Sequence, residues 1–175
     1  MRFLTQRKHF RDLSEQEIIA LAISSEEDDA RIYRSYAELL RAEFPATAAT
    51  FDGMAFEEDQ HRKRLIDLHI QRFGETIPLI RREHVAGYYA RRPVWLISNL
   101  GIDRIRAEAE AMEHDAERFY LAAAQHTSDA DTRKLLGDLA AAEAGHQNKA
   151  KSLEKDILDQ NIRADENENA RRQFI

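Results

Sequence analysis

The feature that most limits how this chain can fold is a repeated register of acidic, aromatic and imidazole side chains. Glu26 is followed by Tyr33 and later by Glu58-x-x-His61; Glu113 is followed by Tyr120 and later by Glu143-x-x-His146. Each tyrosine lies seven residues after its glutamate, and the glutamate-to-glutamate intervals are 32 and 30 residues. Residues three apart on a helix project from neighbouring positions of one face. Each Glu-x-x-His pair therefore offers a carboxylate oxygen and an imidazole nitrogen to a common point. Two such halves call for four helices with converging faces, related by an approximate twofold axis.

The rest of the chain is compatible with that plan. Its 175 residues suit one domain with a real core. Only six glycines and three prolines interrupt a sequence that is 43% hydrophobic and 33% charged, which favours a nearly all-helical protein. Ser14-Glu15-Gln16-Glu17 has the form of a capping box at a helix start. Behind it Ile18, Ile19, Leu21, Ala22, Ile32, Tyr36, Leu39 and Leu40 fall mostly at helical spacing. Pro45 disfavours helical geometry in Phe44 and so ends this helix. A second helix is predicted from Ala46 to Phe73, stopped by Gly74.

Glu75 to Arg92 should form a crossover containing a short helix over Leu79 to Tyr89. Pro93 then opens a third helix, which Gly101 bends or interrupts before it continues to Gln125. Ser128-Asp129-Ala130-Asp131 caps a fourth, running to Leu158. The expected architecture is all-α: a four-helix bundle of two antiparallel hairpins joined by a crossover. It occupies residues 14–158, with residues 159–175 as a polar linker.

Several chemistries are excluded. The chain has no cysteine, which removes disulfides, thiolate zinc sites, iron–sulfur clusters and thiol catalysis. A net charge of -6 without a long basic run argues against nucleic acid as a partner. The N-terminus lacks the apolar core of a secretory signal, and no stretch of about 18 apolar residues is present to span a membrane.

The repeated residues point to a two-metal site. Glu58 with His61 can hold one ion and Glu143 with His146 the other, while Glu26 and Glu113 are placed to supply bridging carboxylates from the remaining helices. Mixed carboxylate and imidazole ligands suit Fe(II) or Mn(II). With 18 glutamates and 7 histidines, roughly 0.7 Glu-x-x-His pairs are expected by chance, so the placement of the pairs on separate helices carries the weight. Glu26 lies in the acidic run Glu26-Glu27-Asp28-Asp29, a pattern that usually marks a solvated helix face. Glu27 is the rival ligand, since it precedes Ala30 by three as Glu113 precedes Ala116; the tyrosine spacing favours Glu26. Glu110, three before Glu113, is either an additional exchangeable ligand or the partner of Arg106. Tyr33 and Tyr120 can donate hydrogen bonds to ligating carboxylates or simply fill the core. His9, His69, His84, His114 and His126 lack a glutamate three residues earlier and are expected to be structural or exposed.

Taken together, Glu26…Tyr33, Glu58-x-x-His61, Glu110-x-x-Glu113…Tyr120 and Glu143-x-x-His146 resemble the rubrerythrin (erythrin) branch of the ferritin-like superfamily, over residues 14–158. The resemblance implies a ferritin-like di-iron centre, with Mn or Zn as substitutes, in which Glu110 and Glu113 act together. The four-cysteine rubredoxin module of rubrerythrin proper is missing, which puts a self-contained NADH-linked peroxidase in doubt. Leu65-Ile66-Asp67-Leu68-His69, Ile77 to His84 and Arg91-Arg92-Pro93-Val94-Trp95-Leu96 are similar to the bacterial membrane-bound ferritin A proteins, which join an erythrin domain to a membrane domain of the vacuolar iron transporter type.

That narrower resemblance implies a cytoplasmic domain of an inner-membrane protein, followed after Ile175 by a transporter domain. Its role would be Fe(II) binding and oxidation in iron export, iron homeostasis and resistance to iron or peroxide stress. The alternatives are a rubrerythrin-like peroxide reductase served by an external electron donor, and a non-enzymatic iron sensor gating the transporter. Val94, Trp95, Leu96, Ile97 and Leu100 form an apolar patch that could line a homodimer interface, with helix exchange permitted by the long crossover, or equally cover the bundle's own end.

Overall fold

A computed structural model of the protein describes the backbone of residues 7–87 and 100–172, and the side chains of residues 7–87 and 100–151. Helix α1 spans Glu15–Leu40 and starts as its capping box requires: Ser14 Oγ accepts from the Glu17 amide, and the Glu17 carboxylate accepts from the Ser14 amide. Phe44 is non-helical, and Pro45 opens α2, which runs Pro45–Phe73. Gly74 ends α2 with φ +87°, a conformation that a side chain would strain. Helix α3 spans Ile102–His126 and α4 spans Ala130–Arg172. Asp129 caps α4 by accepting from the Thr132 amide at 2.8 Å. The helices pack as two hairpins, α1 with α2 and α3 with α4, and the hairpins meet through α1 with α3 and α2 with α4.

Two expectations about element boundaries change. The short helix predicted over Leu79 to Tyr89 is only one turn of 3-10 helix at Arg82–His84; Tyr88 and Tyr89 lie outside the described residues. Tertiary partners overrule local propensity there. Val85–Ala86 forms strand β2, paired in parallel with strand β1 at Lys8–His9. The buried Arg82 guanidinium donates to the Asp29 carboxylate at 2.7 Å and to the Ser25 carbonyl at 3.0 Å, both on α1. The third helix begins after Gly101, which takes the N-cap position, while the expected start at Pro93 and the patch Val94–Ile97 fall outside the described residues. Leu100 packs against the apolar cluster that contains Tyr36 and Ile105. Finally, α4 continues through Arg172 rather than stopping near Leu158, so the segment expected as a linker is helical as far as that residue. Residues 159–172 contain no Gly or Pro, so neither of the strongest helix breakers stops the helix there.

The apolar core is divided into two clusters. One gathers Ile19, Leu21, Leu65, Phe119, Tyr120, Leu136 and Leu139; the other gathers Ile32, Tyr33, Tyr36, Phe51, Met54 and Ile105. A layer of buried polar residues belongs to neither. At one end Glu15 ties the hairpins together, accepting from Arg72 and from the Ser128 amide, each at 2.7 Å. The Ser128 amide first, and Arg72 after it, hold the Glu15 carboxyl down to about 2. Among the described residues no helix is long and apolar enough to cross a membrane.

The Arg82–Asp29 pair pins the crossover to α1 from within the protein. Arg82→Ala removes the cation of a buried ion pair and is expected to cost about 3 kcal/mol in chemical denaturation. A loss below about 1 kcal/mol would show that the crossover is held by other contacts.

Candidate metal centre

The polar layer consists of one glutamate each from α1 and α3 and one Glu-x-x-His pair each from α2 and α4. Glu26, Glu58, His61, Glu113, Glu143 and His146 are all buried, each at most 6% exposed. Their side-chain atoms fall into two groups within which ligand atoms lie no more than 4.8 Å apart: Glu26, Glu58, His61 and Glu143, and Glu58, Glu113, Glu143 and His146. His61 Nδ1 is 3.6 Å from Glu26, 3.5 Å from Glu58 and 3.2 Å from Glu143. His146 Nδ1 is 3.3 Å from both Glu58 and Glu113 and 3.5 Å from Glu143. The two imidazole rings stack with centroids 5.8 Å apart.

Glu58 and Glu143 belong to both groups, a place that the spacing alone gives to Glu26 and Glu113. The carboxylates shared between the two positions come from the Glu-x-x-His pairs, whereas Glu26 and Glu113 each serve one position. Tyrosines account for this division. Tyr120 donates to Glu26 and Tyr33 donates to Glu113, each from the opposite hairpin. A tyrosine seven residues from its own glutamate is about 10 Å away along the helix, too far to reach it, so each crosses to the other hairpin. One oxygen of Glu26 and one of Glu113 are thereby engaged, and the other faces the centre.

Glu26 Oε2, Glu58 Oε1, His61 Nδ1, Glu113 Oε2, Glu143 Oε1 and His146 Nδ1 are buried and have no hydrogen-bond partner. Buried polar atoms are almost always paired, and these six converge on the same space. An oxygen-rich set with two imidazoles fits hard-to-borderline divalent ions such as Fe(II) and Mn(II). The residues present fit a pair of such ions, held as Glu26, His61 and the shared Glu58 and Glu143 on one side, and as Glu113, His146 and the same shared pair on the other.

The other sequence candidates lie outside this cluster. Glu27 points to Arg31, 2.7 Å away, with its side chain 39% exposed. Glu110 remains at the rim, 43% exposed and 3.4 Å from Lys151. An i, i+3 relation to Glu113 displaces it along and around α3, and the lysine draws it outward. His69 is buried at the end of α2 beside the Gly74 carbonyl, His126 contacts the Leu13 carbonyl, and His9 and His114 are exposed. One residue in contact with the cluster had no counterpart in the repeat and so escaped the sequence analysis: Glu57 Oε2 lies 2.6 Å from His146 Nε2.

The proton affinities of the layer follow from packing four carboxylates around two imidazoles. Burial first, and neighbouring carboxylates second, push the Glu26 carboxyl well above its usual range. Glu113 is likewise raised, chiefly by burial. Burial alone would lower His61, but contact with Glu143, Glu26 and Glu58 outweighs it and pushes the imidazole up to about 12. His146 rises for the same reason, through Glu113, Glu143 and Glu58. Glu143 is opposed by burial, yet His146 and His61 bring it below the ordinary range. Burial raises both tyrosines, so Tyr33 and Tyr120 stay neutral donors.

Among known proteins, the rubrerythrin family model matches residues 17–154. The fold is similar to a Thermotoga maritima protein described as a candidate ferritin-like diiron-carboxylate protein, at 20% identity and a TM-score of 0.67, covering 86% of this chain and 98% of that one. It is also similar to a hypothetical protein from Pyrococcus furiosus, at 24% identity and a TM-score of 0.67, covering 86% and 94%. At these identities the likeness shows the fold. No curated protein matches the chain in sequence.

The pKa shifts give the stability of the metal-free protein a definite pH dependence. Glu26, Glu113, His61 and His146 all bind protons more tightly folded than unfolded, so their contribution is present at low pH and lost as pH rises. Glu143 acts in the opposite sense, only at acid pH, below its unfolded value of 4.5. Thermal melting in chelator, followed by circular dichroism, should show the midpoint falling between pH 6.5 and about 9, and a divalent ion should restore it by replacing the protons. A midpoint that rises over that interval would contradict these shifts.

Proposed function

We propose, from the premise that the chain belongs to the rubrerythrin family, that it binds two iron ions between its hairpins and oxidises Fe(II) with dioxygen or hydrogen peroxide. The observation that carries this reading is the pair of four-residue groups sharing Glu58 and Glu143. Iron supplies the redox chemistry: two Fe(II) give up two electrons, which with two protons reduce one hydrogen peroxide to two waters. The chain supplies the rest. Glu58 and Glu143 keep the ions adjacent. Glu26 and Glu113 balance a rise in positive charge with oxygens fixed by Tyr120 and Tyr33. The apolar clusters on either side exclude water from the centre.

The narrower role, service to an iron exporter in a bacterial inner membrane, is supported by the likeness of Leu65–His69, Ile77–His84 and Arg91–Leu96 to membrane-bound ferritin A proteins. In that role Glu110, one turn from Glu113, would leave Lys151 and become a ligand when the charge of the centre changes. A second reading draws on the family itself: a peroxide reductase. Because the chain has no cysteine, its electrons would come from a separate donor. Stopped-flow mixing separates the two, since a peroxide reductase reacts far faster with hydrogen peroxide than with oxygen.

Anaerobic Fe(II) titration followed by air tests the main reading. The purified protein should take up two irons per chain and turn them over to Fe(III), and Glu113→Ala combined with Glu143→Ala should abolish both. Fewer than about one iron per chain, or no loss in the double variant, would contradict it.

A further inference from the structure

The twofold repeat of the six centre-facing residues stops one layer out. His146 turns Nδ1 to the carboxylates and Nε2 to Glu57, whose Oε2 is 2.6 Å away. The other Glu57 oxygen lies 2.6 Å from Lys149 Nζ, so the carboxylate is held from both sides. In the other half the equivalent position, the residue before Glu143, is Ala142, which has nothing to accept a hydrogen bond. Among the described residues none accepts from His61 Nε2; its contacts with the carboxylates are all through Nδ1.

We infer that Glu57 is a positioning residue that makes the two ion positions unequal, so that the position of His146 and Glu113 binds a divalent ion first and more tightly than that of His61 and Glu26. The inference rests on the two-ion reading above. An imidazole that gives Nδ1 to an ion must carry its proton on Nε2. A carboxylate accepting that proton fixes the ring plane and strengthens the ring as a donor, and losing such a partner commonly weakens metal affinity about 10–100-fold. Glu57 provides this for His146 alone. Its side chain is 42% exposed, and Lys149 engages the oxygen that His146 does not. Among the described residues, His61 is oriented by the carboxylates of the cluster and by stacking on the His146 ring.

Anaerobic Co(II) titration, read by visible absorption and calorimetry, gives the test. Wild type should show two resolved steps. Glu57→Ala should weaken the tighter step about 10–100-fold and leave the weaker one in place. Glu57→Gln, which keeps an acceptor oxygen without the charge, should fall between. After His146→Ala, adding Glu57→Ala should change nothing further, whereas after His61→Ala its full effect should persist. Circular dichroism of metal-free Glu57→Ala should match wild type, because the residue lies outside the core. Two ions bound identically by wild type and Glu57→Ala would overturn the inference while the two-ion reading stands. An equal effect of Glu57→Ala in both histidine backgrounds would also overturn it. A wild-type protein that binds no cobalt removes both.

Discussion

Four carboxylates and two imidazoles in a buried layer between four helices are the constraint on which the rest of this molecule depends. Charges placed there without partners would cost far more than a small domain can spare. Cations must balance them, either as protons or as metal ions. Within the chain the two imidazoles, raised by the carboxylates around them, and the raised proton affinity of Glu26 and Glu113 serve that purpose. Because every helix contributes, neutralising the layer couples α1, α2, α3 and α4 at one level. The tyrosines carry the coupling across, each holding a carboxylate of the hairpin to which it does not belong.

Stability comes from elsewhere. The two apolar clusters flank the layer, and burying each large side chain contributes roughly 1.5–3 kcal/mol. They hold the hairpins in place, so the unfavourable middle can persist in a geometry set for binding. A site that breaks the rules of a good core, supported by cores that obey them, is the usual physical signature of function.

Much of this was legible in the sequence, for physical reasons that differ by residue. The capping box at Ser14, the proline at residue 45 and the glycine at residue 74 act on the backbone locally, and the helix ends fall where they require. The six clustered residues were legible because their spacing repeats. Choosing Glu26 from the run Glu26 to Asp29 needed tertiary information. The structure gives Glu27 to Arg31, Asp28 to Arg31 and Arg81, and Asp29 to Arg82, leaving Glu26 turned inward. The short crossover helix failed because strand pairing and a buried arginine outcompete local propensity there. Glu57 was hidden for the opposite reason to Glu26: it sits at a position the repeat does not duplicate, and it looks like any surface glutamate on α2.

The central claim is that Glu58 and Glu143 are shared between two ions, one beside each histidine. Anomalous diffraction from crystals soaked anaerobically in Fe(II) tests it most directly. The account predicts two peaks roughly 3.5–4 Å apart, both within bonding distance of Glu58 and Glu143, one next to His61 Nδ1 and the other next to His146 Nδ1. A single peak, or iron bound at the exposed acidic residues instead of this layer, would contradict it.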